Sequence, residues 1–169
     1  MTETIQQAIA LYLTHLEHER RCAARTIETY GRSLREFAAF LAERGLDGDA
    51  GRVDAAAVRA YLAGLYGANG PASQGRKLAA VRGLFAHLKR KGIATSNPAQ
   101  AVRSPRIRRK LPRFVTVDEA ARLVEAGAAD DPAALRDTAV AEILYGSGLR
   151  VSEVVGLCDG DLDFMLIGI

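Results

Sequence analysis

Tyr145-Gly146-Ser147-Gly148-Leu149-Arg150-Val151-Ser152-Glu153-Val154-Val155-Gly156-Leu157 is the stretch whose reading decides the fold. Two glycines make a tight joint after an apolar run, and the pattern beyond predicts a new helix with Ser147 as its N-cap. Val151, Val154, Val155 and Leu157 form the apolar face of that helix. Arg150 falls in the first turn, where a cation opposes the helix dipole. A locally unfavourable placement of this kind occurs most often at a functional site. Free N–H groups at a helix N-terminus attract phosphate, and a guanidinium fork adds a match for the non-bridging oxygens. Glu153, three residues on, can hold the guanidinium in aim. An ordinary surface Arg–Glu pair fits the same two residues.

Four amphipathic segments precede this box, and their spacing predicts four helices. The first spans about Thr4 to Glu19, with Ile5, Ile9, Leu13 and Leu16 inward. The second follows Cys22-Ala23-Ala24, is opened by Thr26, and carries the stripe Ile27, Tyr30, Leu34, Phe37 and Leu41 until Gly45 stops it. Tyr30 is a packing position on that stripe. Asp54 caps a third helix with Val58, Tyr61, Leu62 and Leu65 inward. The fourth starts near Ser73, buries Leu78, Val81, Leu84, Phe85 and Leu88, and ends at Lys89-Arg90-Lys91-Gly92. Short connections between amphipathic helices read as a four-helix bundle.

Charge is distributed unevenly along the 169 residues. Residues 1–100 hold 14 Lys and Arg against 9 acids, residues 101–113 hold 6 against none, and residues 114–169 hold 3 against 11. The basic front and waist predict a polyanionic partner, nucleic acid being the simplest. A solvated charge run is the bland alternative. Pro98, Pro105 and Pro112 exclude a continuous helix through the waist, leaving an extended cationic strap. Off the apolar stripes, the second and fourth helices carry Arg25, Thr29, Arg32, Arg35, Arg76, Lys77 and Arg82, a mixture suited to phosphate and base-edge contacts.

Beyond the waist, Thr116-Val117-Asp118-Glu119 has the form of a capping box, and its helix is expected to bury Ala120, Leu123 and Val124. Asp131-Pro132 opens the next helix, which runs through Leu135, Ala139, Ile143 and Leu144. Cys158-Asp159-Gly160-Asp161-Leu162-Asp163 reads as a turn, since it lacks the twelve-residue spacing of a calcium loop. Cys22 and Cys158 are too far apart in sequence to suggest a disulfide framework or a metal motif. No apolar run approaches a membrane span, and the N-terminus has no signal-peptide order. A cytoplasmic protein with no metal and no cofactor is expected.

Gly148-Leu149-Arg150-Val151-Ser152-Glu153-Val154-Val155-Gly156-Leu157 resembles the first catalytic box of the tyrosine recombinases, or phage integrases, and of the Xer-type branch in particular. Thr26 to Phe37 and Arg76 to Phe85 resemble two helices that face DNA in that family's core-binding domain, with Gly31 a departure. Asn97-Pro98-Ala99 and Arg109-Lys110-Leu111-Pro112 resemble its interdomain linker. The resemblance implies a mainly α fold: a four-helix SAM-like core-binding domain over 1–100, a basic linker over 101–113, and the helical N-terminal part of a catalytic domain over 114–169. It implies Arg150, supported by Glu153, as a ligand for the scissile phosphate. It also implies DNA contacts from Arg25, Thr26, Thr29, Arg32, Arg76, Lys77, Arg82, Arg108, Arg109 and Lys110. The expected partners are double-stranded DNA and, in an intact protein, a second recombinase protomer, with a role in integration or chromosome segregation and no membrane. The family's hairpin lysine, His-x-x-Arg box and nucleophilic tyrosine find no counterpart, and the tail Phe164-Met165-Leu166-Ile167-Gly168-Ile169 departs from the basic hairpin. A fragment of a recombinase, or a DNA-binding protein that occupies a recombination site without cutting it, are both consistent with this pattern.

Overall fold

The computed structural model describes residues 3–107, 114–125 and 131–161. The chain divides into two compact units, Met1–Arg109 and Lys110–Ile169. Among the described residues helix is the regular structure, and no strand occurs.

In the first unit, α1 (Ile5–Thr14) opens with a complete capping box. The Gln7 N–H donates to Thr4 Oγ1 at 3.3 Å, and the Thr4 N–H donates to Gln7 Oε1 at 2.9 Å. The segment expected as one helix to Glu19 changes geometry at its end: His15–Glu19 is a π-helical turn, closed by the Arg20 N–H donating to the His15 carbonyl at 3.0 Å. The chain then turns through Arg21, a non-glycine residue at φ 47°. Next, α2 (Ala24–Ala42) is capped by Ala23 rather than opened by Thr26, which sits inside the first turn. Asp54 caps α3 (Ala55–Gly64) as expected, its Oδ1 accepting the Ala57 N–H at 2.8 Å. Pro71 at the first helical position moves the start of α4 (Pro71–Arg90) ahead of Ser73, because its fixed φ suits that place and its missing N–H costs nothing there. Gly45 and Gly92 both terminate helices at left-handed φ, 64° and 74°.

The apolar stripes interlock into one core. Leu34, Phe37 and Leu41 of α2 and Leu78, Val81, Leu84, Phe85 and Leu88 of α4 are essentially inaccessible, with Ile5 and Val58 beside them. Phe37 meets Tyr61 and Phe85 edge-on, at centroid distances of 5.0 and 6.4 Å. Each such side chain contributes about 1.5–3 kcal/mol on burial. Ala94, Ala99 and Val102 belong to the same core, so the first unit continues past the expected boundary at residue 100 and absorbs the beginning of the basic waist.

Two glycines of this unit sit in helix interiors against α1. Gly31 is buried, and a Cβ there would meet Leu13 Cδ1 at 3.4 Å, an ordinary contact. Gly83 is stricter. A Cβ there would overlap the Tyr12 hydroxyl and lie 3.0 Å from Tyr12 Cζ. The missing side chain lets α1 approach α4.

The second unit holds α5 (Val117–Glu125), α6 (Pro132–Ser147) and a single turn, α7 (Val151–Val154). The Thr116–Glu119 capping box forms, with the Glu119 N–H donating to Thr116 Oγ1 at 3.3 Å and the Thr116 N–H donating to Glu119 Oε2 at 2.9 Å. Those bonds hold the Glu119 carboxylate below its usual range. The burial expected for these helices is largely missing. Ala120 is half-buried, Ile143 and Leu144 are half-buried, and Leu135 and Ala139 are exposed. The Leu123 and Val124 side chains and the tail from Phe164 lie outside the described residues. The expected apolar stripe of α6 does not segregate to one face, and among the described residues only Val154 of this unit is buried.

Two expectations follow. Alanine is favoured over glycine in a helix interior by about 1 kcal/mol, yet Gly83→Ala should destabilise the first unit by about 1–3 kcal/mol through overlap. Adding Tyr12→Phe should recover part of that loss in a denaturant-unfolding cycle. His87 is 3% exposed, and its imidazole is held below its usual value first by burial, then by His15, Arg90 and Lys91, against the opposing pull of Glu19. The unfolded chain therefore takes up a proton near about pH 6.5 that the folded chain refuses, so stability falls as pH drops from about 6.5 toward the lowered folded value. The midpoint of urea unfolding should decline over that window in the parent chain and decline less in His87→Gln.

Candidate nucleic-acid interface and the arginine box

On α2, one carboxylate organises two of the predicted DNA-facing cations. Arg25 Nη1 donates to Glu28 Oε2 at 3.3 Å, and Arg32 Nη2 donates to Glu28 Oε1 at 2.8 Å. Both arginines are well exposed, at 86% and 66% of their side chains. Exposed pairs of this kind contribute about 0–1 kcal/mol, so either guanidinium can exchange Glu28 for a phosphate at little cost. Thr29 lies between them, its hydroxyl donating to the Arg25 carbonyl at 2.7 Å, with the oxygen still able to accept. Thr26 is half-buried on the side of α2 that faces α4.

On α4, the predicted residues divide by task. Arg76 is exposed and donates to Ser73 Oγ at 3.0 Å. Lys77, 14% exposed, is paired with Glu36 and ties α4 to α2. Arg82 is committed to the chain's own backbone. Its Nε donates to the Ala99 carbonyl at 3.0 Å, its Nη1 to Ser104 Oγ at 2.9 Å, and its Nη2 to the Val102 carbonyl. Asn97 completes the tie: its Nδ2 donates to the Arg82 carbonyl at 3.0 Å, and its Oδ1 accepts the Ala99 N–H at 3.1 Å. Asn97-Pro98-Ala99 therefore docks the start of the waist onto α4. Arg108, Arg109 and Lys110, together with Arg113, fall outside the described residues.

The box at 145–157 differs from expectation in detail. Ser147 ends α6 instead of capping the next helix: its hydroxyl donates to the Ile143 carbonyl and accepts the Leu149 N–H at 3.3 Å. Gly148 is the left-handed C-cap, at φ 66°. Arg150 is itself the N-cap residue of α7, and α7 is a single turn, too short for a strong dipole. The pairing with Glu153 does form. Arg150 Nη1 donates to Glu153 Oε1 at 3.0 Å, and the Arg150 N–H donates to Glu153 Oε2 at 2.7 Å. One carboxylate thus fixes both the backbone and the head group of Arg150. The guanidinium side chain is 83% exposed and keeps further N–H donors toward solvent. Val151 and Val155 are exposed, so the expected four-residue apolar face reduces to Val154 and the half-buried Leu157.

Among the described residues, no cluster of His, Cys, Asp and Glu could hold a metal. In the aspartate-rich turn, Asp161 Oδ2 accepts the Cys158 N–H at 2.9 Å.

Residues 9–92 match the family model for the N-terminal SAM-like domain of phage integrases. The chain is 41% identical over 162 residues to the tyrosine recombinase XerC of Pelobacter propionicus, covering 95% of this chain and 54% of that relative. It is 38% identical to the tyrosine recombinase XerD of Mycobacterium tuberculosis, covering 95% of this chain and 55% of that one. The chain belongs to the tyrosine recombinase family. It spans about half the length of these relatives. A crystal structure of a lambda integrase dimer bound to a COC′ core site aligns with a TM-score of 0.73 at 19% identity, covering 96% of this chain and 44% of that one. The integrase of mycobacterium phage Brujita aligns with a TM-score of 0.54 at 20% identity, covering 93% of this chain and 50% of that one. That likeness is one of fold, and it agrees with the mainly α, SAM-like architecture expected of a tyrosine recombinase.

Sequence reading did not single out Glu28 as the shared anchor of two arginines, nor the backbone ties of Arg82. The Arg25-x-x-Glu28-x-x-x-Arg32 spacing carries the first signal, because i,i+3 and i,i+4 neighbours meet on a helix. The ties of Arg82 join residues 17 to 22 positions apart, and no local spacing announces them.

Arg82→Ala should therefore lower the stability of the first unit by about 2–4 kcal/mol, since it leaves carbonyls without their charged donor. Arg76→Ala, at an exposed position, should move the unfolding midpoint little. Equal, negligible changes in both would remove the structural role of Arg82.

Proposed function

We propose that this chain is the DNA-binding portion of a Xer-like site-specific tyrosine recombinase. Its partner is duplex DNA containing a recombination site, gripped by the first unit and by the basic waist. The observation that carries this reading is the exposed Arg25–Glu28–Arg32 array, set on a domain that matches the integrase SAM-like family. Arg76 and Thr29 extend the face, and Arg108, Arg109 and Lys110 add phosphate contacts along the strap. Lys77 and Arg82 contribute by holding α2, α4 and the waist in place. The same reading keeps the chain in the cytoplasm with its DNA; among the described residues no helix is long and apolar enough to cross a membrane.

In the second unit, Arg150 is the ligand for the scissile phosphate, and Glu153 holds it. A guanidinium aimed at the non-bridging oxygens stabilises charge that builds up during attack at phosphorus. The nucleophile has to come from elsewhere. Burial pushes the Tyr12 phenol up to about 12 and raises that of Tyr61 further, which makes both poor nucleophiles. The exposed apolar side chains of Leu135, Tyr145, Val151 and Val155 support a unit that needs more chain, or another protomer, to cover it. A non-catalytic protein that occupies such a site and blocks recombination is the second reading, and the burial of Tyr12 and Tyr61 fits it equally well.

Binding of the 169-residue chain to duplex DNA should weaken by orders of magnitude between about 50 and 200 mM salt, as several phosphate contacts release counterions. Flat affinity in a gel-shift titration would contradict the reading. Changing Arg108, Arg109 and Lys110 together to Ala should weaken binding to target and random DNA alike. With a nicked suicide substrate the chain alone should give no covalent protein–DNA band on a denaturing gel. A band abolished by Tyr145→Phe would overturn the assignment of Arg150 as a phosphate ligand without its own nucleophile.

A further inference from the structure

Between α2 and α4 lies a cleft of about 300 Å³ whose polar lining the predicted DNA contacts leave unused, apart from Thr26. Tyr12, His15, Thr26, Tyr30, Arg20 and Arg90 supply its polar lining, with Arg20 and Arg90 exposed. The backbone around it is unusual in two places: the π-helical turn His15–Glu19 and the left-handed Arg21. π-Turns and left-handed non-glycine residues carry a cost and cluster where a side chain must be aimed. Here they bring His15 and Arg20 to the same cleft. The close approach of Tyr12 to Gly83 brings its hydroxyl there as well.

His15 is the hub of this cluster. Its ring lies 4.5 Å from that of His87 and 6.4 Å from that of Tyr12. On one edge, Nδ1 is 2.9 Å from Glu19 Oε2, yet this buried nitrogen has no aligned hydrogen-bond partner. The contact is short but bent, and the approach of the His15 ring N–H is the main influence lowering the Glu19 carboxylate. On the other edge, Nε2 is 3.3 Å from Arg90 Nη2. A guanidinium can only donate, so Nε2 accepts, and the network assigns the ring proton to Nδ1. His15 thereby holds one arm of Arg90, which also lines the cleft and has further N–H donors to offer. Both Arg20 and Arg90 exert their positive field on the Tyr12 hydroxyl.

We propose that this cleft is a seat for a phosphodiester group, with Arg90 and Arg20 as its cationic ligands and His15 as the positioning residue that pre-sets Arg90. The proposal rests on the reading of the first unit as a DNA-binding domain and adds a site to it. The Thr26 and Tyr30 hydroxyls supply neutral donors on the α2 wall, so a single phosphate entering the cleft would meet both helices at once. Glu19 sets a limit on the cleft's positive charge, and its pairing with His15 keeps the carboxylate turned to the ring.

The test uses the full chain, a fluorescein-labelled duplex and anisotropy over a salt series. Arg90→Gln should lower affinity about tenfold at about 50 mM salt and reduce the salt slope by about one. Arg20→Gln, at an exposed position, should act in the same direction without touching the core. His15→Leu should reproduce most of the Arg90→Gln loss, and His15→Gln, whose amide oxygen can accept from Arg90, should restore it. Unfolding midpoints of all four variants are measured alongside, and a loss of affinity without a shift in midpoint supports the seat. An unchanged slope in both Arg90→Gln and Arg20→Gln, or a failure of His15→Gln to restore binding, overturns it. Inorganic phosphate at matched ionic strength should compete no better than chloride. Protection by low-millimolar phosphate would assign the seat to a free anion and overturn the duplex assignment. If the parent chain binds no DNA at all, the DNA-binding reading itself fails, an outcome distinct from normal parent binding with silent variants.

Discussion

The packing of α2 against α4 is the constraint on which the rest of the first unit depends. Leu34, Phe37 and Leu41 meet Leu84, Phe85 and Leu88 with almost no residual exposure. Once those stripes are buried, the outward face of each helix is fixed by the helical period, and the cations between the stripes can only point to solvent or to the seam. Lys77–Glu36 closes the seam on its polar side. Tyr12 closes it from α1, at the position where Gly83 has no side chain. The arginine array on α2 is rigid because its helix is clamped from beneath, while its ion pairs with Glu28 are weak enough to exchange.

Cations in this protein divide into those consumed by the fold and those left available. Arg82 looks equivalent to Arg76 in sequence, since both lie on α4 and off the apolar stripe. Three backbone or hydroxyl acceptors from 99–104 surround the first, whereas the second meets one serine hydroxyl. A carbonyl turned inward needs a donor, and a guanidinium can serve several carbonyls at once. Arg82 meets the needs of a segment that has no helix or strand to satisfy its own backbone. That service brings Ala99 and Val102 into the core and fixes where the basic waist departs.

The second unit shows the opposite balance. Its local signals are sound: a complete capping box at Thr116, proline at the start of α6, and a left-handed glycine at its end. Among its described residues tertiary burial is slight, with Leu135, Tyr145, Val151 and Val155 exposed. Capping and propensity contribute about a kcal/mol each, whereas apolar burial supplies most of a domain's stability. Arg150 nevertheless keeps its pairing with Glu153, because that contact is made within one turn and needs no core.

By itself the sequence determined the features that arise within a turn or two of helix. These are the four amphipathic helices of the first unit, the caps at Asp54 and Thr116, the stops at Gly45 and Gly92, and the Arg150–Glu153 pair. All follow from i,i+3 and i,i+4 neighbours and from residues that tolerate or forbid particular backbone angles. Only the tertiary structure decided what depends on distant partners. It set the confinement of Arg82 and Lys77, the extension of the first unit to Val102, and the π-turn that aims His15 at Arg90, 75 residues away in sequence. It also set the start of α4 at Pro71 and the reduction of the box helix to one turn. The physical reason is the same throughout. A hydrogen bond to a remote carbonyl or a ring packed against a remote helix leaves no period in the sequence, and its energy exists only once the core has brought the partners together.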